Sequence, residues 1–397
     1  MLTGIRRFWN IAARRHLCPW CFEWISLRHP LFRCGNPQCT NRAPDPVLER
    51  EWKDSRPVTV PFYGRPFSSR TRCRQPNCRR LTTHRICPNC HQNLPQTLGD
   101  CRGMIFAVIG AKGAGKSHYI GVLLHQLLGR VGLQQKLIVT AADDGVTKRF
   151  QTDYERPLYQ QRVSLPETQA RKTQPLVYVI RERPEGHQRF NWALNAVFFD
   201  TAGENLGSRD AMEEKTRYIG FSEGVILLLD PLQIPAVRDA ISRRRPGLKL
   251  PDRSADADEI LTRTATLIRE QHGQSSESTE LINTPLAVAF TKWDPDGVQP
   301  LLHPDSLSLQ PAGTCRGYDQ ADGSAIHDEI ESLLKSWGCD RLLQQTQQFR
   351  TYRFFGLSAL GEAPVNGRIH QPNPLRESDP FLWLLFQHRY LKPVQTS

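Results

Sequence analysis

Between residues 103 and 397 short apolar runs alternate with polar or glycine-rich stretches, a pattern that predicts a sheet interleaved with helices. The run at 104–109 suits a buried strand, and the apolar positions of 117–128 fall at helical spacing. Residues 176–181 and 192–199 read as two strands separated by a polar turn around 184–186. Runs at 285–290 and 352–357 read as two more. Helical spacing at 257–271 and 326–337 fits elements that cover the sheet, and 381–386 fits a final helix packed on it. The polar or Pro/Gly-rich stretches at 242–258, 271–280 and 295–324 read as surface insertions. The longest apolar runs, 225–229 and 381–386, fall far short of the about 20 residues that span a bilayer.

Residues 1–102 carry no such pattern, and cysteine spacing takes its place. Eight of the eleven cysteines form four pairs: Cys18 with Cys21, Cys34 with Cys39, Cys73 with Cys78, and Cys87 with Cys90. Two closely spaced thiolates offer half of a tetrahedral zinc site, and two such knuckles close one. The simplest pairing is sequential, Cys18, Cys21, Cys34 and Cys39 for one zinc and Cys73, Cys78, Cys87 and Cys90 for a second. A crossed pairing around residues 40–72 is the alternative. The wider pairs enclose Gly35, Asn36, Pro37 and Gln38, and Arg74, Gln75, Pro76 and Asn77, which suit tight turns. His16, His84 and His91 are expected at the surface, and Cys101, Cys315 and Cys339 in ordinary packing. Residues 1–15 are basic but lack the apolar core of a secretory leader. Reduced zinc sites in a cytoplasmic protein are therefore expected rather than disulfides.

Charge divides the chain at the same place. Residues 1–102 hold 18 Lys plus Arg against 6 Asp plus Glu, and residues 103–397 hold 34 of each. Two four-cysteine zinc sites would each contribute about −2, leaving roughly +8 on this region. All but Lys53 of the basic residues here are arginine, with Arg70, Arg72, Arg74, Arg79, Arg80 and Arg85 crowded together. That surface suits a phosphate backbone or an acidic protein. The divisions expected are 1–39, a basic helix and first zinc ribbon; 40–72, a Pro/Arg-rich linker; 73–102, a second ribbon; and 103–397, one α/β domain.

Following the strand at 104–109, positions 110–117 read G-A-K-G-A-G-K-S. Gly110, Gly113 and Gly115 allow a tight turn whose N–H groups, with those of Lys112, Ala114 and His118, face phosphate oxygens at a helix start. Lys116 brings a charge to the β- and γ-phosphates, and the Ser117 hydroxyl can ligate magnesium. Asp200 closes the next apolar run and opens D-T-A-G at 200–203. Its carboxylate can hold the magnesium and the Gly203 N–H can sense a γ-phosphate. T-K-W-D at 291–294 again follows a strand. The Asp294 carboxylate can accept from both N1–H and the exocyclic amine of guanine, which adenine cannot match. Thr291 opens the loop, Lys292 would lie over the base, and the backbone of Ser358, Ala359 and Leu360 would donate to the guanine carbonyl.

Taken in this order, the motifs resemble those of the translation-factor and Ras-like P-loop GTPases, over 103 to about 390. The resemblance implies a Ras-like α/β sheet with helices on both faces, preceded by small zinc-ribbon elements, two structural Zn2+ and a catalytic Mg2+. It also implies a threonine in the magnesium shell, for which Thr168 is preferred over Thr173. Three positions depart from the Ras-like pattern: Lys112 stands for glycine, Thr291 for asparagine, and Glu204 for the glutamine that orients water. Slow turnover without a partner is expected from the last.

The combination with zinc ribbons is similar to bacterial conflict-system GTPases of the double-GTPase type. That implies a switch, exchanging GTP and GDP, whose state is read by a protein partner such as a second GTPase or effector, in antiphage defence. Two other readings stand beside it: a nucleotide-dependent factor that grips nucleic acid through the arginine-rich ribbons, and a GTP-binding structural subunit without turnover.

Overall fold

The structure is a computed structural model that describes residues 15–99, 102–166, 175–183, 192–200, 218–247, 250–252, 257–275 and 278–394. The chain folds as two compact units, Met1–Met104 with Thr140–Thr147 and Gln174–Val197, and Ile105–Val139 with Lys148–Thr173 and Phe198–Ser397.

Seven strands make the main sheet: β1 (Arg102–Gly110), β2 (Leu137–Ala141), β3 (Leu176–Glu182), β4 (Ala193–Asp200), β5 (Gly224–Leu229), β6 (Leu286–Phe290) and β7 (Tyr352–Gly356). Their order is β2-β3-β4-β1-β5-β6-β7. The pairs β1–β5, β5–β6 and β6–β7 are parallel. Every residue of β5 and β6 is buried, which is why these strands read as unbroken apolar runs rather than alternating ones. Register then decides where the site forms. Gly110 pairs Leu228, Leu229 pairs Phe290, and Phe290 pairs Gly356. The loops that leave β1, β5, β6 and β7 therefore emerge side by side at the carboxyl ends of four parallel strands, where such sheets place ligands.

Four helices answer the helical spacing: α1 (Lys116–Leu128), α2 (Ala257–Gln271), α3 (Gln320–Ser336) and α4 (Asp379–Gln387). Helix α3 starts six residues before the apolar spacing does, because the Asp319 carboxylate caps it by accepting from Asp322 N. Helix α4 packs on β5 and β6. Its Phe381 ring stands edge-on to Phe106, 5.0 Å between centroids.

Two parts of residues 103–397 differ from what the apolar pattern predicts. Residues 144–161 are helical, as Asp144–Phe150 and a π-helical Gln151–Gln161 of which only Tyr154 and Leu158 are buried. With Val146 and Phe150 the buried positions recur every fourth residue, a stripe only one residue wide among polar neighbours. The 295–324 insertion is more than a surface loop, since Ser308 is fully buried and donates to Glu329 at 2.6 Å.

One core carboxyl has a measurable consequence. Glu377 is 1% exposed, its Oε1 has no hydrogen-bond partner among the described residues, and burial pushes its pKa from 4.5 up to about 7, with its own backbone N–H opposing the rise, Asp379 adding to it and Arg130 opposing it. The folded state thus favours the neutral acid. Its contribution to stability is complete below about 4.5 and is lost as pH rises through about 7. Glu377→Gln should stabilise the protein by roughly 2–3 kcal/mol at pH 8 and by little at pH 4.5. Thermal melts at the two pH values check this, and equal shifts would contradict it.

Residues 15–99 are built from short pairs: Arg15–Leu17 with Trp24–Ser26, Leu31–Phe32 with both Phe62–Tyr63 and Arg85–Ile86, Arg42–Ala43 with Val58–Thr59, and Thr71–Arg72 with Leu81–Thr82. Residues 40–72, expected as a linker, carry a helix, Pro46–Trp52, and strands of three of these pairs. Asp45 explains their order. Its carboxylate, 4% exposed, caps the helix by accepting from Val47 N and Leu48 N, and it also meets Arg33 at 2.6 Å and His91 at 2.8 Å. The expected N-terminal helix in residues 1–14 lies outside the described residues. Among the described residues no helix is long and apolar enough to cross a membrane.

Candidate nucleotide site and cysteine clusters

Strand β1 ends at Gly110, where an added Cβ would lie 2.3 Å from the Leu228 carbonyl oxygen. Gly113 and Gly115 take φ values of +76° and +84°, which side chains with a Cβ rarely adopt. Helix α1 begins immediately after, with Lys116 buried and its ammonium donating to the Gly110 and Ala111 carbonyls at 2.9 and 2.8 Å. The loop from 110 to 115 thus curls around a positive charge at a helix N-terminus, an arrangement that suits phosphate. Lys112 is exposed on it, Ala114 is buried, and Ser117 lies in the first turn of α1. His118 faces elsewhere: its Nε2 accepts from Leu165 N at 3.1 Å and lies 3.1 Å from Ser164 Oγ. Burial lowers its pKa to about 4, so the ring is neutral.

The next two loops converge. Thr291 N and Oγ1 donate to Leu229 O at 2.8 and 3.1 Å. Lys292 has φ +55°, and its ammonium forms an ion pair with Asp230. Trp293 is fully buried, donates from Nε1 to Ser308 Oγ at 2.9 Å, and takes the Leu357 carbonyl on its backbone N–H. Gly356 makes room for it, since a Cβ there would lie 2.5 Å from the indole. Asp294 follows, 7% exposed, its Oδ2 accepting from Ser358 Oγ at 2.7 Å. Burial raises its pKa, partly offset by that hydrogen bond. Ser358 is fixed in turn by a mutual backbone pair with Leu375, and its Oγ also accepts from Gly361 N. Residues 64 positions apart are thus locked by one hydroxyl–carboxylate bond.

The structure therefore brings Lys116, Thr291, Lys292, Asp294, Ser358, Ala359 and Leu360 to the ends of adjacent parallel strands. Asp200 ends β4, the neighbour of β1, but its side chain lies outside the described residues. Thr168, Thr173, Gly203 and Glu204 also lie outside them. Asp230 is a site residue that the sequence reading passes over. Its carboxylate is 3% exposed and accepts from Leu232 N at 2.9 Å while holding Lys292. Its position closing the apolar run 225–229, as Asp200 closes its own, is the signal that would have found it.

The eight paired cysteines form two groups, and the pairing is crossed. Cys18, Cys21, Cys87 and Cys90 make one, and Cys34, Cys39, Cys73 and Cys78 the other. This replaces the sequential pairing with the alternative, and the reason is the order of residues 40–72: Trp52 Nε1 donates to Cys90 O and Thr59 Oγ1 to Cys34 O, so the segment is tied to both groups. Sγ–Sγ separations of 3.9 Å (Cys18–Cys90), 3.8 Å (Cys21–Cys87), 3.7 Å (Cys34–Cys78) and 3.9 Å (Cys39–Cys73) are far too long for disulfides. They match the edge, about 3.8 Å, of a tetrahedron of sulfurs about 2.3 Å from a central zinc. Backbone N–H groups of Asn36 and Asn89 point at Cys34 and Cys87 sulfurs, the kind of outer contact that steadies thiolate ligands. Both groups therefore fit structural zinc. His91, held by Asp45, belongs to neither. Cys315 is exposed rather than packed.

No protein-family model matches the chain. Over 325 residues it is 28% identical to "Putative ESX-1 scaffolding and assembly protein SaeC" of Mycolicibacterium smegmatis, covering 75% of this chain and 78% of that one. Among solved structures, the Arl6 BBS3 small GTPase of Trypanosoma brucei with bound GppNp is similar at 11% identity and a TM-score of 0.29, covering 73% of this chain and 99% of that one. The functional reading rests on the loops rather than on this distant likeness.

Proposed function

We propose that the chain is a GTP-binding switch of Ras-like design that hydrolyses GTP slowly on its own and serves the assembly of a larger complex. The observation that carries the reading is the Ser358–Asp294 bond, which fixes a buried carboxylate beside the phosphate-type loop and the helix that follows it. In this reading Lys116 and the loop N–H groups from Lys112 to His118 hold the phosphates. Asp294 reads guanine, Lys292 lies over the base and is steadied by Asp230, and residues 358–360 complete the base pocket. Ser117, Thr168 and Asp200 supply hard oxygen ligands suited to Mg2+, which when bound would neutralise charge on the β- and γ-phosphates. Gly203 senses the γ-phosphate, and Glu204 stands where water is oriented. Hydrolysis breaks the bond between the γ-phosphorus and the bridging oxygen as water adds, giving GDP and phosphate.

An assembly role for the switch is the reading that the SaeC relative's name favours over antiphage defence. It also favours a second reading, a GTP-binding subunit that scaffolds a complex without turnover. Phosphate release from GTP in Mg2+ separates the two. The switch predicts turnover on the order of 10⁻³ s⁻¹ or slower, abolished in Lys116→Ala. Turnover near 1 s⁻¹ without a partner contradicts the slow-switch claim, and none at all favours the scaffold.

A further inference from the structure

The two cysteine groups differ in their surroundings. Around Cys18, Cys21, Cys87 and Cys90 lie the buried Trp20, the half-buried Trp52 and the Asp45–His91–Arg33 cluster, a setting of packing and internal ion pairs. Around Cys34, Cys39, Cys73 and Cys78 the surface is basic. From residue 55 to residue 99 there are eight arginines and no acidic residue. Arg56 is paired with Asp54 and Arg85 is buried, but Arg65, Arg70, Arg72, Arg74, Arg79 and Arg80 are all exposed. Among the described residues no carboxylate pairs with any of those six.

The hairpin of Thr71–Arg72 and Leu81–Thr82 sets much of this charge on one side. Cys73 and Thr82 turn inward and are buried. Arg70, Arg72 and Arg74 alternate with the inward positions, and Leu81, directly across from Arg72, is 55% exposed. Beside them Tyr63 is also 55% exposed, and among the described residues its ring joins no ring stack. Arg74 ties the two strands together, donating to Tyr63 O at 2.7 Å with its guanidinium 6.0 Å from the Phe62 ring centroid.

A row of guanidiniums that no described carboxylate neutralises, next to an exposed aromatic side chain, suits a single-stranded polynucleotide. The arginines bind phosphodiesters in fork geometry, and the ring gives an unstacked base a platform. An acidic polypeptide would use the charge but not the ring, and a duplex hides its base faces. Unpaired stretches are the rule in RNA. We propose that the face formed by Tyr63, Arg70, Arg72, Arg74, Arg79 and Leu81 binds single-stranded RNA. This does not depend on the nucleotide site, so it stands or falls separately from the GTP reading.

The test uses the full chain, without nucleotide, and fluorescence anisotropy with a labelled 20-mer of oligo-U. Binding should weaken by about a hundredfold between 50 and 200 mM salt, a slope of roughly −3 to −4 at about 0.7 per phosphate neutralised. Arg70→Gln/Arg72→Gln/Arg79→Gln should lose tenfold or more in affinity at 100 mM salt and about 2 in slope. Tyr63→Ala should weaken binding with the slope unchanged, and Tyr63→Phe should keep it. Zinc content and melting temperature equal to the parent's certify that each variant is folded. Oligo-U binding at least as tight as oligo-dT, and tighter than an RNA duplex, supports the proposal. It is overturned if the folded parent fails to bind oligo-U at 50 mM salt, or if the triple variant binds like the parent. Tighter binding of oligo-dT, of duplex, of polyglutamate or of anionic vesicles also overturns it.

Discussion

Asp294→Asn should move the protein's preference from GTP to xanthosine triphosphate. The Asp294 carboxylate is buried and held by Ser358, so it has few ways to relax. As an ion it can accept from both N1–H and the amine of guanine. Asparagine keeps one acceptor and substitutes a donor, which meets the amine of guanine unfavourably and the second carbonyl of xanthine well. Loss of one charge-assisted hydrogen bond, about 1.5–3 kcal/mol, together with a donor left facing a donor, about 1–3 kcal/mol, predicts a loss of GTP affinity of roughly 10²–10⁴-fold. Competition against a fluorescent GTP analogue measures it, and unchanged guanine preference would mean that Asp294 does not read the base. Since burial raises the Asp294 pKa above 3.8 and the ionised form does the reading, GTP affinity in the parent should fall as pH drops through that raised value.

Removal of metal should have the other large effect. Structural zinc contributes about 10–16 kcal/mol of apparent binding energy in small domains, as much as or more than a whole domain's stability. Among the described residues, 15–99 form only two- and three-residue strand pairs around the clusters, so chelation should unfold this region and expose it to protease. The crossed pairing makes the sharper prediction. Changing Cys18, Cys21, Cys87 and Cys90 together to serine should leave about one zinc per chain, held by Cys34, Cys39, Cys73 and Cys78. The sequential pairing would lose half the ligands of both sites and leave none. Metal analysis of the purified variant decides between them.

The sequence made the parallel core legible because strands buried on both faces must be apolar throughout, as 285–290 shows. The glycines and Lys116 were legible because their spacing has a steric and electrostatic purpose. Three things were hidden. The crossed cysteine groups are bridged by an ordered 40–72 segment, through Trp52, Thr59 and a buried Asp45 that looks like any acidic residue. The edge strand Leu137–Ala141 is only partly buried, so it carries no continuous apolar run. Trp293 supports Asp294 through Ser308 and Gly356, contacts spread over more than sixty residues that no local pattern records. In each case the deciding partner is distant in the chain, and a one-dimensional pattern carries only neighbours.

The central claim is that this chain binds guanine nucleotides through Asp294 and the loop around Lys116. Calorimetric titration of the purified, zinc-loaded protein with GTP, GDP and ATP in Mg2+ tests it most directly. GTP and GDP should bind with comparable affinity and ATP at least a hundredfold more weakly. Equal affinity for ATP, or no binding of any of the three, would contradict it.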